Sequence, residues 1–260
     1  MESLKVEEQD LKRKIGSGME GYVYSYKGKY AVKLFHKFQW DFGGRTIEML
    51  NRKMAKVGAM MSLKDPGAAF PLGFAEVPNE DDVAYYMKKI YSPSFEPYTK
   101  NLSDLWYEDY DEKIEEIILK ADGALQRIHK LGVAIGDIKE TNILLEGDTE
   151  PVYVDLDNAV YQDYPFDTYP IRASYLRNLF GGRETAYQDN DKLVFALLAL
   201  YMKTKDDRFF RADDRTGIRH AINHLEPDNE AKEILNCIFS DAENKPYIGS
   251  VFSRIRKRHY

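Results

Sequence analysis

The sequence predicts an α+β chain in two lobes, a small β-rich one over residues 1–90 and a larger α-helical one over 91–260. Short runs rich in Tyr and Val, separated by turn residues, fill the first lobe. A long apolar stripe at helical spacing follows Ser92-Pro93-Ser94, and a nearly unbroken apolar segment, Leu193 to Met202, comes late in the chain.

Ile15–Tyr26 and Lys29–Phe35 read as a hairpin around the turn Lys27-Gly28. Thr46 to Met61 has helical spacing at Ile47, Leu50, Met54 and Val57. Phe70–Val77 and Val83–Ile90 are predicted strands, with Pro78-Asn79-Glu80-Asp81 as their turn. From Asp111 to Leu131 the residues Ile114, Ile117, Ile118, Ala121, Leu125 and Ile128 mark one helix face, which ends at Gly132. Ile143–Leu145 and Val152–Asp155 are short strands, a polar tyrosine-rich loop spans Asn158 to Asn190, and Lys192–Met202 is a buried helix followed by amphipathic ones.

The 260 residues, 43% hydrophobic and 31% charged, describe a globular chain that can build its core without disulfides or a structural metal. Cys237 is the single cysteine, which excludes an intrachain disulfide and a cysteine zinc cluster. A net charge of −6 argues against nucleic acid as a partner, because that affinity comes from neutralising phosphates. The longest apolar run is about half of a membrane span, and the polar start of the chain lacks a signal-like stretch. A cytoplasmic location without membrane insertion is therefore expected.

Four patches carry chemistry. Gly16-Ser17-Gly18-Met19-Glu20-Gly21-Tyr22-Val23 fits G-x-G-x-x-G-x-V, and glycines let backbone N–H groups approach phosphate oxygens. A strand, Tyr22 to Tyr26, follows it, whereas a dinucleotide fold would need a helix there. Lys33, in the apolar run Tyr30-Ala31-Val32-Lys33, must either snorkel or meet an anion. Asp137, Lys139 and Asn142 share a short loop between a helix and a strand, where they offer a proton acceptor, a cation and a metal ligand. Val152-Tyr153-Val154-Asp155-Leu156-Asp157 is a strand ending in two carboxylates, the oxygen ligands that Mg²⁺ prefers.

In that order these motifs resemble the protein kinase family, over about residues 10–255. The resemblance implies ATP and Mg²⁺ as cofactors and a protein serine or threonine as the acceptor. It places Gly16, Gly18 and Gly21 over the phosphates and Lys33 on the α- and β-phosphates, and counts Ile15, Ser17, Val23 and Ala31 among the nucleotide-binding residues. Glu48 would be the ion-pair partner of Lys33, Met87 the gatekeeper, and Lys88, Lys89 and Ile90 the hinge against adenine. Asp137 would be the catalytic base, Lys139 would lie beside the γ-phosphate, and Asn142 and Asp155 would bind Mg²⁺. Asp191 looks like the buried aspartate that braces the catalytic loop.

The chain departs from the family at several points. Ile135-Gly136-Asp137 lacks the histidine and arginine of H-R-D, which implies activity independent of activation-loop phosphorylation. Asp155-Leu156-Asp157 stands in place of D-F-G, and Asp157 lacks glycine's freedom to rearrange. No A-P-E occurs in Thr168 to Phe180, a stretch whose Thr168, Tyr169 and Ser174 are candidate autophosphorylation sites. Two other readings stand beside the protein kinase. One is a small-molecule kinase resembling aminoglycoside phosphotransferases, with Asp155 and Asp157 on one strand face as paired metal ligands. The other is a nucleotide-binding scaffold without turnover. His129 is expected to help end its helix by suiting the dipole.

Overall fold

The computed structural model describes residues 3–11, 13–18, 20–36, 47–77, 82–91, 102–107, 112–165, 187–206, 208–209, 215–240 and 244–257. The first part is a sheet of β1 (Leu4–Lys5), β2 (Lys14–Gly18), β3 (Gly21–Tyr26), β4 (Tyr30–His36), β5 (Pro71–Glu76) and β6 (Asp82–Lys88). Their order across the sheet is β1-β5-β6-β4-β3-β2. Only the β1–β5 pair is parallel.

The predicted run Ile15–Tyr26 divides into β2 and β3, with Gly18 opposite Gly21 at their turn. Between β3 and β4, Lys27 (φ 47°) and Gly28 (φ 70°) are both left-handed, and the Lys29 N–H closes the turn on the Tyr26 carbonyl at 3.2 Å. Such a turn matches the twist of the strands it joins. On β5, Pro71, Gly73 and Ala75 face inward while Leu72 and Phe74 face out, the alternation of a strand with one covered face.

Helix α1 (Ile47–Met60) packs on this sheet. Its buried face is Leu50, Lys53, Lys56, Val57 and Met60, which differs from the predicted stripe. Ile47 is exposed and Met54 only half-buried, so the helix is turned to bring two lysines inward. Both lysines are fully buried, an arrangement that holds only where each ammonium meets oxygen.

The second part is mainly helical. Helix α2 (Glu112–Lys130) buries Ile114, Ile117, Ile118, Ala121, Leu125 and Ile128, the predicted stripe, against α3 (Tyr187–Thr204) in the large core. Every residue of α3 from Leu193 to Leu200 is buried, so this helix is the apolar centre of the part. Strand β7 (Val133–Ala134) follows α2 and pairs with β10 (Val160–Tyr161). The hairpin β8 (Ile143–Glu146) and β9 (Glu150–Tyr153) lies between them in sequence. Helices α4 (Arg215–Asn223) and α5 (Asn229–Ile238) come later, joined through β11 (Leu225–Pro227), which pairs with β12 (Ile255–Lys257). Asp228 caps α5 by accepting the Ala231 N–H at 2.9 Å.

The two parts are stitched by backbone. Tyr153 donates to the Gly67 carbonyl and accepts from the Ala69 N–H, both at 2.9 Å. Its buried hydroxyl donates to the Ala121 carbonyl at 3.2 Å, which fixes the end of β9 to α2. The Gly147 N–H bonds the Tyr91 carbonyl at 2.9 Å, tying the β8–β9 turn to the chain leaving the sheet. No helix among the described residues is long and apolar enough to cross a membrane.

Candidate active site

Ile15, Val23, Ala31, Met87 and Ile90 converge in one apolar cluster at the boundary between the sheet and the helical part. Ala31 lies directly opposite Met87 across β4 and β6, and Gly16 opposite Val23 across β2 and β3. The other side of the cluster includes Leu144 of β8 and Val154, just past β9, neither of which is among the expected site residues. A strand residue between two core neighbours, Ile143 and Leu145, is the only sequence sign of Leu144. The Lys88 side chain turns away and pairs with Glu146 at 2.6 Å, so only its backbone remains to the slot. The Lys89 N–H bonds the Lys29 carbonyl at 3.0 Å, which holds the chain straight up to the buried Ile90.

Ser17 and Gly18 are exposed at the end of β2. None of Gly16, Gly18 and Gly21 has a left-handed φ, so tolerance of unusual dihedrals is not why these glycines stand here. Space is the reason at Gly21, where a Cβ would lie 1.9 Å from the Leu34 carbonyl oxygen. A Cβ on Gly18 would meet nothing within 4 Å, which leaves the tip open to an incoming group.

Below this turn lies a chain of charges. The Lys33 side chain, 8% exposed, pairs with Asp155 and, at 2.7 Å, with Asp157. Asp157 is buried and accepts further bonds from Lys53 at 3.1 Å and from the Tyr85 hydroxyl at 3.0 Å. Lys53 also pairs with Glu20, from the turn between β2 and β3, at 2.6 Å. Burial pulls Lys33 down, but the Asp155 and Asp157 carboxylates outweigh it and hold the ammonium well above its usual range. Lys53 is raised in the same way by Asp157 and Glu20 against its burial. Burial pushes Asp157 up, yet the two lysines win and keep it well below the usual carboxylate range. Lys33 draws Asp155 down, but burial and the Asp157 charge leave it above the ordinary value.

Glu48 is not the partner of Lys33. Its side chain is 83% exposed and faces Arg52 at 3.6 Å, because the rotation of α1 that buries Lys53 turns Glu48 to solvent. The carboxylate beside Lys33 comes instead from Asp157, and the helix contributes a cation. Glu48→Gln is accordingly expected to change stability by less than about 0.5 kcal/mol, as surface substitutions do. A loss above about 1 kcal/mol in denaturant unfolding would show that Glu48 turns inward to a buried partner.

Strand β9 ends at Tyr153, and Asp155 takes a left-handed φ of 63° before the turn Leu156–Asn158. Asp155 and Asp157 therefore do not share a strand face as expected, and they meet through Lys33 instead. A left-handed aspartate costs roughly 1–3 kcal/mol, local strain that the cations on both carboxylates offset. Leu156 keeps the expected apolar role, 1% exposed in the large core.

The loop after β7 is fixed by its backbone. Gly136 is left-handed (φ 78°), and it and Ile135 donate their N–H groups to Asp191 at 2.8 and 2.6 Å. Asp191 thus holds the position expected of it. His129 stands in the last turn of α2, as expected, and its ring is buried between the Asp191 carboxylate (3.0 Å) and the Tyr247 hydroxyl (2.7 Å), which adds a bracing role. In the loop, Lys139 donates to Asp137 Oδ2 at 2.8 Å, and Asn142 Nδ2 donates to the same oxygen at 3.1 Å. The Val154 N–H bonds the Asn142 carbonyl at 2.9 Å, so this loop and the Asp155 turn are adjoining pieces.

Lys53 and Tyr85 lie in no motif and Glu20 fills an unspecified position of the glycine motif, so the sequence does not mark them, and their contacts depend on how α1 and β6 are turned. Thr168, Tyr169, Ser174 and the rest of Thr168 to Phe180 lie outside the described residues. In comparisons with known proteins, no family model and no curated protein matched this chain.

The donor set suits a magnesium nucleotide. Asn142 spends its amide N–H groups on Asp137, which leaves its carbonyl oxygen as a ligand, and Lys33 takes only one Asp155 oxygen. Among the described residues no group of three or more His, Cys, Asp or Glu side chains gathers to hold a metal. A cation at Asp155 and Asn142 would complete its shell with phosphate and water oxygens, as Mg²⁺ commonly does.

Proposed function

We propose that this chain is an ATP-dependent phosphotransferase of the protein kinase type, which moves the γ-phosphoryl group of MgATP to a serine or threonine hydroxyl of a protein. The observation that carries this reading is the joining of two sites. Lys33 is held by Asp155 and Asp157 beneath the glycine turn, and the Asn142 carbonyl links the Asp155 turn to the loop of Asp137 and Lys139.

The apolar cluster of Ile15, Val23, Ala31, Met87 and Leu144 suits a flat heterocycle. Lys33, positioned by Asp157, would meet the phosphate oxygens, and Asp155 and Asn142 would hold Mg²⁺, which when bound neutralises charge on those oxygens. Asp137 accepts the proton of the acceptor hydroxyl, and Lys139 steadies the negative charge that grows beside it. Positioning and charge neutralisation supply most of the rate in such a site. Both oxygens of Asp157 are engaged by Lys33, Tyr85 and Lys53, which takes away the second metal ligand that a small-molecule kinase reading supposes.

The test incubates the purified chain with γ-labelled ATP and Mg²⁺, alone and with a generic basic protein, beside Lys33→Met and Asp155→Ala. Label on serine or threonine, absent from both variants, is the expected result. Label reaching only small hydroxyl acceptors would replace the protein substrate with a small one. Nucleotide binding with no label on any acceptor would make the chain a binding protein.

A further inference from the structure

Lys53 is not required by the chemistry above, yet it is placed at a cost. Its ammonium is wholly buried on α1, where losing water is expensive unless carboxylates surround it. Those carboxylates come from separate pieces of the site, Glu20 from the glycine turn and Asp157 from the turn after β9. Asp157 in turn holds Lys33, and Lys33 holds Asp155. The charges alternate along the path Glu20, Lys53, Asp157, Lys33, Asp155, so the central carboxylate is shared by two cations.

We propose that Lys53 is a positioning residue of the phosphoryl-transfer site: by holding one oxygen of Asp157 it fixes the Lys33 ammonium and leaves Asp155 able to take a cation. The proposal rests on the phosphotransferase reading. Asp157 faces Lys33 from β4, Lys53 from α1, the Tyr85 hydroxyl from β6 and Asp155 from its own turn. Without Lys53, the Asp157 charge loses one of its two cations and is held less firmly against burial and against Asp155. Lys33 then shifts toward Asp155, the carboxylate that Mg²⁺ would need. The helix cation does through Asp157 what Glu48, turned to solvent, does not do directly.

The experiment compares wild type with Lys53→Met, Lys53→Arg, Asp157→Asn and the double variant Lys53→Met/Asp157→Asn. Affinity for a Mg²⁺-bound, non-hydrolysable ATP analogue is measured by calorimetry, beside turnover and unfolding midpoints. Lys53→Met is expected to weaken the analogue about tenfold or more, with Lys53→Arg restoring most of it. The double variant is expected to bind no worse than Asp157→Asn alone, since residues acting through one contact are not additive.

Additive losses, or a lower unfolding midpoint with affinity unchanged, would overturn the proposal and leave Lys53 a structural ion pair. A wild type that binds no nucleotide would sink the phosphotransferase reading itself. Amide exchange at 155–158 in the nucleotide-free chain then decides the contact. Faster exchange in Lys53→Met, not increased further in the double variant, supports Lys53 acting through Asp157. Additive increases overturn it.

Discussion

Asp137→Asn is expected to cut phosphoryl transfer by roughly 10²–10⁴-fold, the usual worth of a positioned general base, while leaving nucleotide affinity within a few-fold. The argument is local. Asp137 accepts from Lys139 and Asn142 on Oδ2, and its side chain is 34% exposed, so it can meet an acceptor while its orientation is fixed. Asparagine keeps the shape but accepts no proton. Its stability cost should be small, about 0–1 kcal/mol, because the Lys139 pair is partly solvated. Initial rates with saturating acceptor, set beside analogue binding, separate the cases. Turnover within a few-fold of wild type would remove Asp137 as the base. An equal loss in affinity would mean that the substitution disturbs the adjoining Asn142 and Asp155 instead.

The parts of this fold that were legible in the sequence are those with a strong period or a fixed turn. The α2 stripe from Ile114 to Ile128 is buried as written, because an apolar face that regular has one way to meet a core. Lys27-Gly28 reads as a turn and is one. Of the site, the structure gathers Ile15, Val23, Ala31, Met87 and Ile90 into one cluster and joins Asp137, Lys139 and Asn142 in one loop, whereas the pairing of Lys33 with Asp155 was not legible. What failed was the partner of Lys33. Helix α1 offers Glu48, Arg52, Lys53 and Lys56 within about two turns, and a rotation of roughly 100° per residue decides which faces inward. The apolar stripe that should set that rotation is ambiguous, since Leu50 and Val57 fit either face while Ile47 and Met54 compete with Met60. A buried lysine reads as polar in any pattern count, so the sequence points it outward. The carboxylates that hold it lie far along the chain, at Glu20 and Asp157. The end of β9 was missed for a different reason. The left-handed turn at Asp155 is set by its ion pair with Lys33 and by the burial of Leu156, and neither is local.

Asp191→Ala is expected to be the most damaging change to the fold, at about 3–5 kcal/mol, the cost of stripping a buried charged group from its partners. Asp191 accepts the Ile135 and Gly136 N–H groups and faces His129 Nε2, all buried, and alanine would leave these donors unmatched. Each such group costs about 1–3 kcal/mol when no water reaches it. At about 2–4 °C per kcal/mol for a chain of this size, the unfolding midpoint should fall by roughly 6–20 °C. Asp191→Asn is not a mild substitute, because an amide presents one oxygen and an NH₂ to a site that donates from every side. The consequence for function follows from Gly136. Its left-handed conformation directs the chain into Asp137, and the two amides on Asp191 hold that conformation. Turnover by the folded fraction should therefore fall more than nucleotide affinity, since the apolar slot and Lys33 are built from other elements. Denaturant unfolding, with rates measured well below the lowered midpoint, reads both effects. A loss under about 1 kcal/mol would mean that water takes the place of the carboxylate, and unchanged turnover would mean that the loop holds its shape without Asp191.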